Sequence, residues 1–131
     1  MYQRFAADAV VALHGAFILW AVFGCLTLLR RRGLAWAHLP ALVWASYIEF
    51  TGRVCPLTPL ENHFRRLAGE AGYGGGFIEH YVTRVIYPDG LTRNTELVLG
   101  VLLVAFNGAI YLIAFLRQAP RPVPPDVPRS P

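Results

Sequence analysis

Two stretches of the chain, 9–29 and 97–116, carry no Asp, Glu, Lys or Arg. Each is close to the roughly 20 apolar residues that a helix needs to cross the hydrocarbon core of a bilayer. A third stretch, Leu34–Gly52, is nearly as apolar, with Pro40 inside it and Glu49 near its far end. The pattern predicts three transmembrane helices, close to 9–29, 34–52 and 97–116. Arg30, Arg31, Arg32 and Gly33 form a tight connection that makes the first two antiparallel neighbours. A proline within a span frees a backbone carbonyl, which membrane helices tolerate when a neighbour or water satisfies it. The first run is too long for the apolar part of a signal peptide, and three arginines follow it. It therefore reads as a retained span.

Residues 53–96 are too long and too well patterned for plain loop. Thr58-Pro59-Leu60-Glu61 reads as a capping box with proline at the first helical position. Leu60, Phe64, Leu67 and Ala71 then fall on one face. Glu61–Arg65 and Arg66–Glu70 are i,i+4 pairs on the other, and Gly72 is a natural stop. After the Gly74–Gly76 joint, a second short helix is expected over Phe77–Ile86. It places Phe77, Tyr81 and Val85 on one face and Glu79 and Thr83 on another. Tyr87-Pro88-Asp89-Gly90 reads as a turn, and Thr92 as the cap of the last span. Both short helices are amphipathic and are expected to lie on the membrane surface and cover the outer mouth of the bundle, the second with the alternative of dipping inward as a re-entrant segment.

Charge sets the orientation. The formal net charge of +4 rests on twelve arginines and no lysine. They flank the apolar runs, which points to lipid headgroups and topology rather than to nucleic acid. The Arg30–Arg32 loop and the tail with Arg117, Arg121 and Arg129 belong on the cytoplasmic side, and the N-terminus outside. The expected organisation is one integral membrane helical domain over 1–117, with an outer-side cap at 53–96. Residues 118–131 form a disordered, Pro-rich cytoplasmic tail. Cys25 and Cys55 are too few for a disulfide framework and fall near opposite faces of the membrane.

The stretches WAHLPALVWASYIEF (36–50), CPLTPLEN (55–62) and GYGGGFIEHYVTRVIYP (72–88) resemble a family of small bacterial membrane proteins, the domain of unknown function 2784. The resemblance covers about residues 2–116. It implies a bacterial cytoplasmic (inner) membrane protein and carries no activity with it. His63 stands where a tryptophan is expected in relatives, so no shared role passes to it.

Ionisable groups within a span are costly and point to function with a named partner. Helical rise puts His14 roughly 4–5 Å, and Glu49 roughly 7–8 Å, outward of mid-span. Asn107 falls near the centre of the third span. The expectation is that His14, Glu49 and Asn107 meet inside the bundle, as a proton-handling, quinone or substrate site or as a clasp that fixes packing. Asp8 and Arg53 share a depth roughly 13–14 Å outward and are expected to pair. His38 lies roughly 13–14 Å from His14 along the membrane normal, which disfavours a shared haem. It is expected to pack beside Trp36 and Pro40. In the cap, Cys55, Glu61 and His80 are candidate metal ligands, although their spacing fits no ligand box. Glu79 and His80 are candidates for acid–base work beside His14 and Glu49. No motif specifies a cofactor.

The fold expected is thus all-α, a bundle of three transmembrane helices with two short amphipathic helices capping the outer side. Its partners are the lipid bilayer and a membrane-protein partner or a second copy. The first functional reading is an accessory or scaffold component of a membrane complex. The alternative is a membrane enzyme or redox/quinone-binding protein using His14 and Glu49 with the Glu79–His80 cap.

Overall fold

The computed structural model describes residues 1–83 and 92–117, and those residues contain helix and loop with no strand. Helix α1, Tyr2–Phe23, tightens into a 3-10 stretch, Gly24–Leu29. A 3-10 turn, Arg32–Leu34, leads into α2, Ala35–Thr51. Helix α3 is Leu57–Leu67, and Glu79–Thr83 form a short π-helical turn. Helix α4 is Arg93–Arg117. Two helical runs, Tyr2–Leu29 and Arg93–Arg117, are long and apolar enough to cross a membrane. The 17 residues of α2 rise only about 25 Å.

Local chemistry explains the joints. At the end of α1, the Thr27 hydroxyl donates to the Gly24 carbonyl at 2.6 Å, an i−3 bond that suits the tighter helix. Gly52, with φ +64°, ends α2. Arg93, the first residue of α4, reaches across to donate to the Glu49 and Phe50 carbonyls. It also pairs with Glu96 at 2.8 Å. A cation on the last carbonyls of a helix satisfies groups that have no helical partner. Thr92 precedes α4, and its hydroxyl accepts from the Thr95 amide at 3.4 Å, as expected of a cap.

Helix α1 packs most extensively on α3, while α2 packs along α4. The 3-10 end of α1 also rests on α4. A small core forms there from Cys25, Leu28 and Ala114. His38 is wholly buried beside it, with Nδ1 2.9 Å from the Tyr111 hydroxyl and Nε2 3.3 Å from the Ala21 carbonyl. Its neighbours are Trp20, Gly24 and Tyr111, not Trp36 and Pro40, which α2 turns outward.

Burial runs in an unusual direction. Among the described residues, the largest fully buried side chains are His38, Glu61, Asn107, Thr58 and Cys25. Large apolar side chains face out instead: Leu19 is 60 % exposed, Val43 61 %, Leu112 59 % and Phe115 69 %. A water-soluble domain buries such side chains and exposes polar ones.

Helix α3 follows the same inverted rule and corrects the expected cap. Thr58, Glu61 and Asn62 are buried, whereas Leu60 and Leu67 are exposed. No capping box forms. The helix starts at Leu57, and Glu61 is drawn away from its N-terminus by stronger donors described below. The stop is Gly69 rather than Gly72. Its φ of +78° lets the Glu70 amide donate to the Arg65 carbonyl and the Gly69 amide to the Arg66 carbonyl, a Schellman ending. Glu70 pairs with Arg65 at 3.0 Å in place of Arg66.

The expected Asp8–Arg53 pair is not formed. Because α1 leans toward α3, Arg4 pairs with Glu70 at 3.1 Å, while Arg53 lies over the Tyr47 ring. Val85, Ile86, the 87–90 turn and the tail from 118 lie outside the described residues.

Candidate functional site

Two features stand out, a polar latch in the cap and a cavity beneath it. The latch centres on Glu61, whose carboxylate is fully buried. It accepts from the Tyr73 hydroxyl at 2.6 Å, the Tyr81 hydroxyl at 2.6 Å and Arg65 Nε at 2.8 Å. Arg65 also donates to the Tyr81 hydroxyl at 2.7 Å and to Glu70 at 3.0 Å. Burial alone would push the Glu61 carboxyl up. The bonds from Tyr73, Tyr81 and Arg65 outweigh it and hold the group below its ordinary value. Burial, and then the bond to Glu61, push the Tyr73 and Tyr81 hydroxyls up, so both stay protonated donors at neutral pH.

Asn62 completes the latch. Its side-chain amide donates to the Tyr73 carbonyl at 2.8 Å and accepts from the Tyr73 amide at 3.0 Å. That two-way bond fixes the chain where it returns over α3. Tyr73 stacks on His80 at 3.7 Å between centroids, and Phe77 lies 4.7 Å from Tyr81. The stretches 55–62 and 73–81 thus meet face to face. Sequence reasoning singled out Glu61 and His80 but missed Tyr73, Tyr81 and Asn62 as partners. The available signal was a helix with Glu, Asn and Arg on one stripe, followed by hydroxyl-bearing aromatics.

Where α1 leans toward α3 and α4 stays with α2, a wedge opens. It is a cavity of about 840 Å³, closed on one side by Gly76–Glu79 and Val82 of the cap. Its wall is mostly apolar, with Phe17, Ile18, Ile48, Leu99 and Phe106 among the lining residues. Its charged groups are Glu49, Arg53, Glu79 and Glu96 among the described residues, and His14 also lies on the wall. Volume and lining are those of a site for a small apolar molecule.

His14, Glu49 and Asn107 are therefore not a direct clasp. No hydrogen bond among the described residues joins them. His14 is buried against Phe77, with centroids 4.3 Å apart. His14 and Glu49 share the cavity wall. Asn107 turns to backbone instead, donating to the Leu103 carbonyl at 2.9 Å and reaching the Val22 carbonyl at 3.5 Å. Its Oδ1 is buried with no hydrogen-bond partner among the described residues. His38 is taken up by Tyr111 and Ala21. Glu79 reaches the Gly76 amide at 3.4 Å. Among the described residues no three His, Cys, Asp or Glu side chains are grouped to hold a metal ion. Cys55, Glu61 and His80 do not assemble because the two tyrosines and Arg65 occupy the Glu61 oxygens.

No curated protein and no solved structure matches the chain. A family match extends over residues 4–112, from the start of α1 almost to the end of α4, and takes in both the latch and the cavity. The chain belongs to the family described as Protein of Unknown function (DUF2784).

Proposed function

We propose that the chain crosses the bacterial cytoplasmic membrane three times and holds an apolar-tailed amphiphile in the cavity beneath its cap. In this reading, residues 1–117 are one membrane domain with an outer cap at 53–96, and 118–131 are a cytoplasmic tail. The single observation that carries the binding role is the cavity, which joins an apolar wall to a few polar groups next to the cap. The polar interior and apolar exterior support a lipid surround, because lipid covers exposed leucine and phenylalanine without cost. Arg30, Arg31 and Arg32 support a cytoplasmic loop between α1 and α2.

Topology is tested with tags at the two ends of the chain and a membrane-impermeant protease. The N-terminal tag is cut from outside, and the C-terminal tag only after lysis. Both tags on one side would mean two crossings and would sink the three-span reading.

The binding role is tested by filling the wedge. Gly15 lies on the wall, and a Cβ there would stand 4.0 Å from the Phe77 ring, an ordinary contact. Gly15→Leu is expected to cut binding of a labelled alkyl probe by at least about tenfold while helicity is kept. Unchanged binding would mean the probe sits elsewhere.

The accessory or scaffold role is the competing reading. It is favoured by the absence of a catalytic motif, and it leaves the cavity without a purpose. A membrane enzyme or redox protein would use the same cavity, with His14 and Glu49 on its wall.

A further inference from the structure

We infer that the occupant of the cavity carries a neutral carbonyl in its head, and that Nε2–H of His14 donates a hydrogen bond to it. This rests on the cavity being a site for an apolar-tailed molecule. His14 is 3 % exposed and lies on the cavity wall. Its Nδ1 is buried with no hydrogen-bond partner among the described residues. In a neutral imidazole one nitrogen carries the hydrogen and the other accepts. A hydrogen on Nδ1 would be a buried donor with no acceptor, which folded proteins avoid more strictly than an unfilled acceptor. The tautomer is therefore assigned with its hydrogen on Nε2, so the ring offers a donor, and the complementary group on a ligand is an acceptor oxygen.

The charged groups on the wall among the described residues are Glu49, Arg53, Glu79 and Glu96, and Glu96 is paired with Arg93 at 2.8 Å. Most of the wall is apolar, where an unpaired anionic head is costly to bury and a carbonyl carries no charge. The same chemistry comes from two sources in a membrane, the ring carbonyl of an isoprenoid quinone and the ester carbonyl of a neutral glyceride.

Three probes separate the possibilities in equilibrium binding to the full chain in mild detergent: a short-tailed benzoquinone, a monoacylglycerol and an alkane of matched length. His14→Phe keeps an aromatic ring against Phe77 and removes the donor. It is expected to weaken at least one carbonyl probe roughly five- to tenfold, the worth of one neutral hydrogen bond. Alkane binding should change by less than about twofold, within the scatter of surface-neutral changes. His14→Gln restores an N–H donor and is expected to recover most of the loss. The carbonyl probe that binds more tightly to the natural chain names the source. Equal losses for alkane and carbonyl probes, or no loss for either, would overturn the role of His14. Failure of the natural chain to bind even the alkane would overturn the cavity reading itself.

Discussion

Glu61→Gln is expected to destabilise the cap by about 2–4 kcal/mol, the range for breaking a buried charged pair and stranding its partners. The carboxylate accepts three bonds, from Tyr73, Tyr81 and Arg65. An amide has one oxygen to accept with, and its NH2 would face groups that are themselves donors. Arg65 would keep only Glu70 and the Tyr81 oxygen. Proteolysis at Arg65–Arg66 should accelerate, and the thermal midpoint in detergent should fall. Glu70→Gln is the control, because Glu70 keeps 30 % of its side chain exposed and such pairs are worth at most about 1 kcal/mol. Equal effects of the two variants would mean that the latch does not hold the cap.

The latch also sets a pH dependence. The folded Glu61 carboxyl titrates below its ordinary value of 4.5. A depressed carboxyl contributes stability that is fully present above the unfolded value and is lost as pH falls through the folded one. The cap should therefore hold at neutral pH and loosen in acid below about pH 4.5. Glu61→Gln should remove that acid step.

The second large effect belongs to Gly24→Ala. A Cβ there would run into the His38 ring and stand 3.0 Å from Trp20. His38 cannot swing aside without losing Tyr111 and the Ala21 carbonyl. Overpacking of this kind costs about 1–3 kcal/mol, and the lost hydrogen bonds add to it. The midpoint of the whole bundle should fall, because His38 joins α2 to both α1 and α4. At Gly33 nothing lies within 4 Å of an added Cβ. Gly33→Ala should then change stability by less than about 0.5 kcal/mol. Parity between the two variants would mean that the close approach of His38 to Gly24 is not maintained.

Much of the helical path was legible. The charge-free runs 9–29 and 97–116 fall inside the two long helical runs, and Glu61–Arg65 and Thr92 behave as their spacing implies. The shared depth of His14 and Glu49 became a shared wall, although not a contact. Amphipathicity was legible in α3, and the structure adds that Thr58, Glu61 and Asn62 turn inward while Leu60 and Leu67 stay exposed. Periodicity separates two faces without saying which one turns inward, and surroundings decide that. Gly69 and Gly72 are equivalent as letters; only the backbone shows which adopts the left-handed turn. The bonds from Tyr73 and Tyr81 to Glu61 cross a glycine-rich return whose path no local rule predicts. His38 found Tyr111 because of how α4 is rotated about its own axis, and hydropathy alone leaves that rotation open. Asn107 bonds its own helix at Leu103, an outcome that mid-span depth could not distinguish from a shared site.

The most direct test of the central claim is native mass spectrometry of the intact chain released from mild detergent, with organic extraction of the same sample. The account predicts one neutral, apolar-tailed molecule bound per chain, and its loss in Gly15→Leu. A bare chain accompanied by a stoichiometric protein partner would contradict it and favour the accessory-subunit reading.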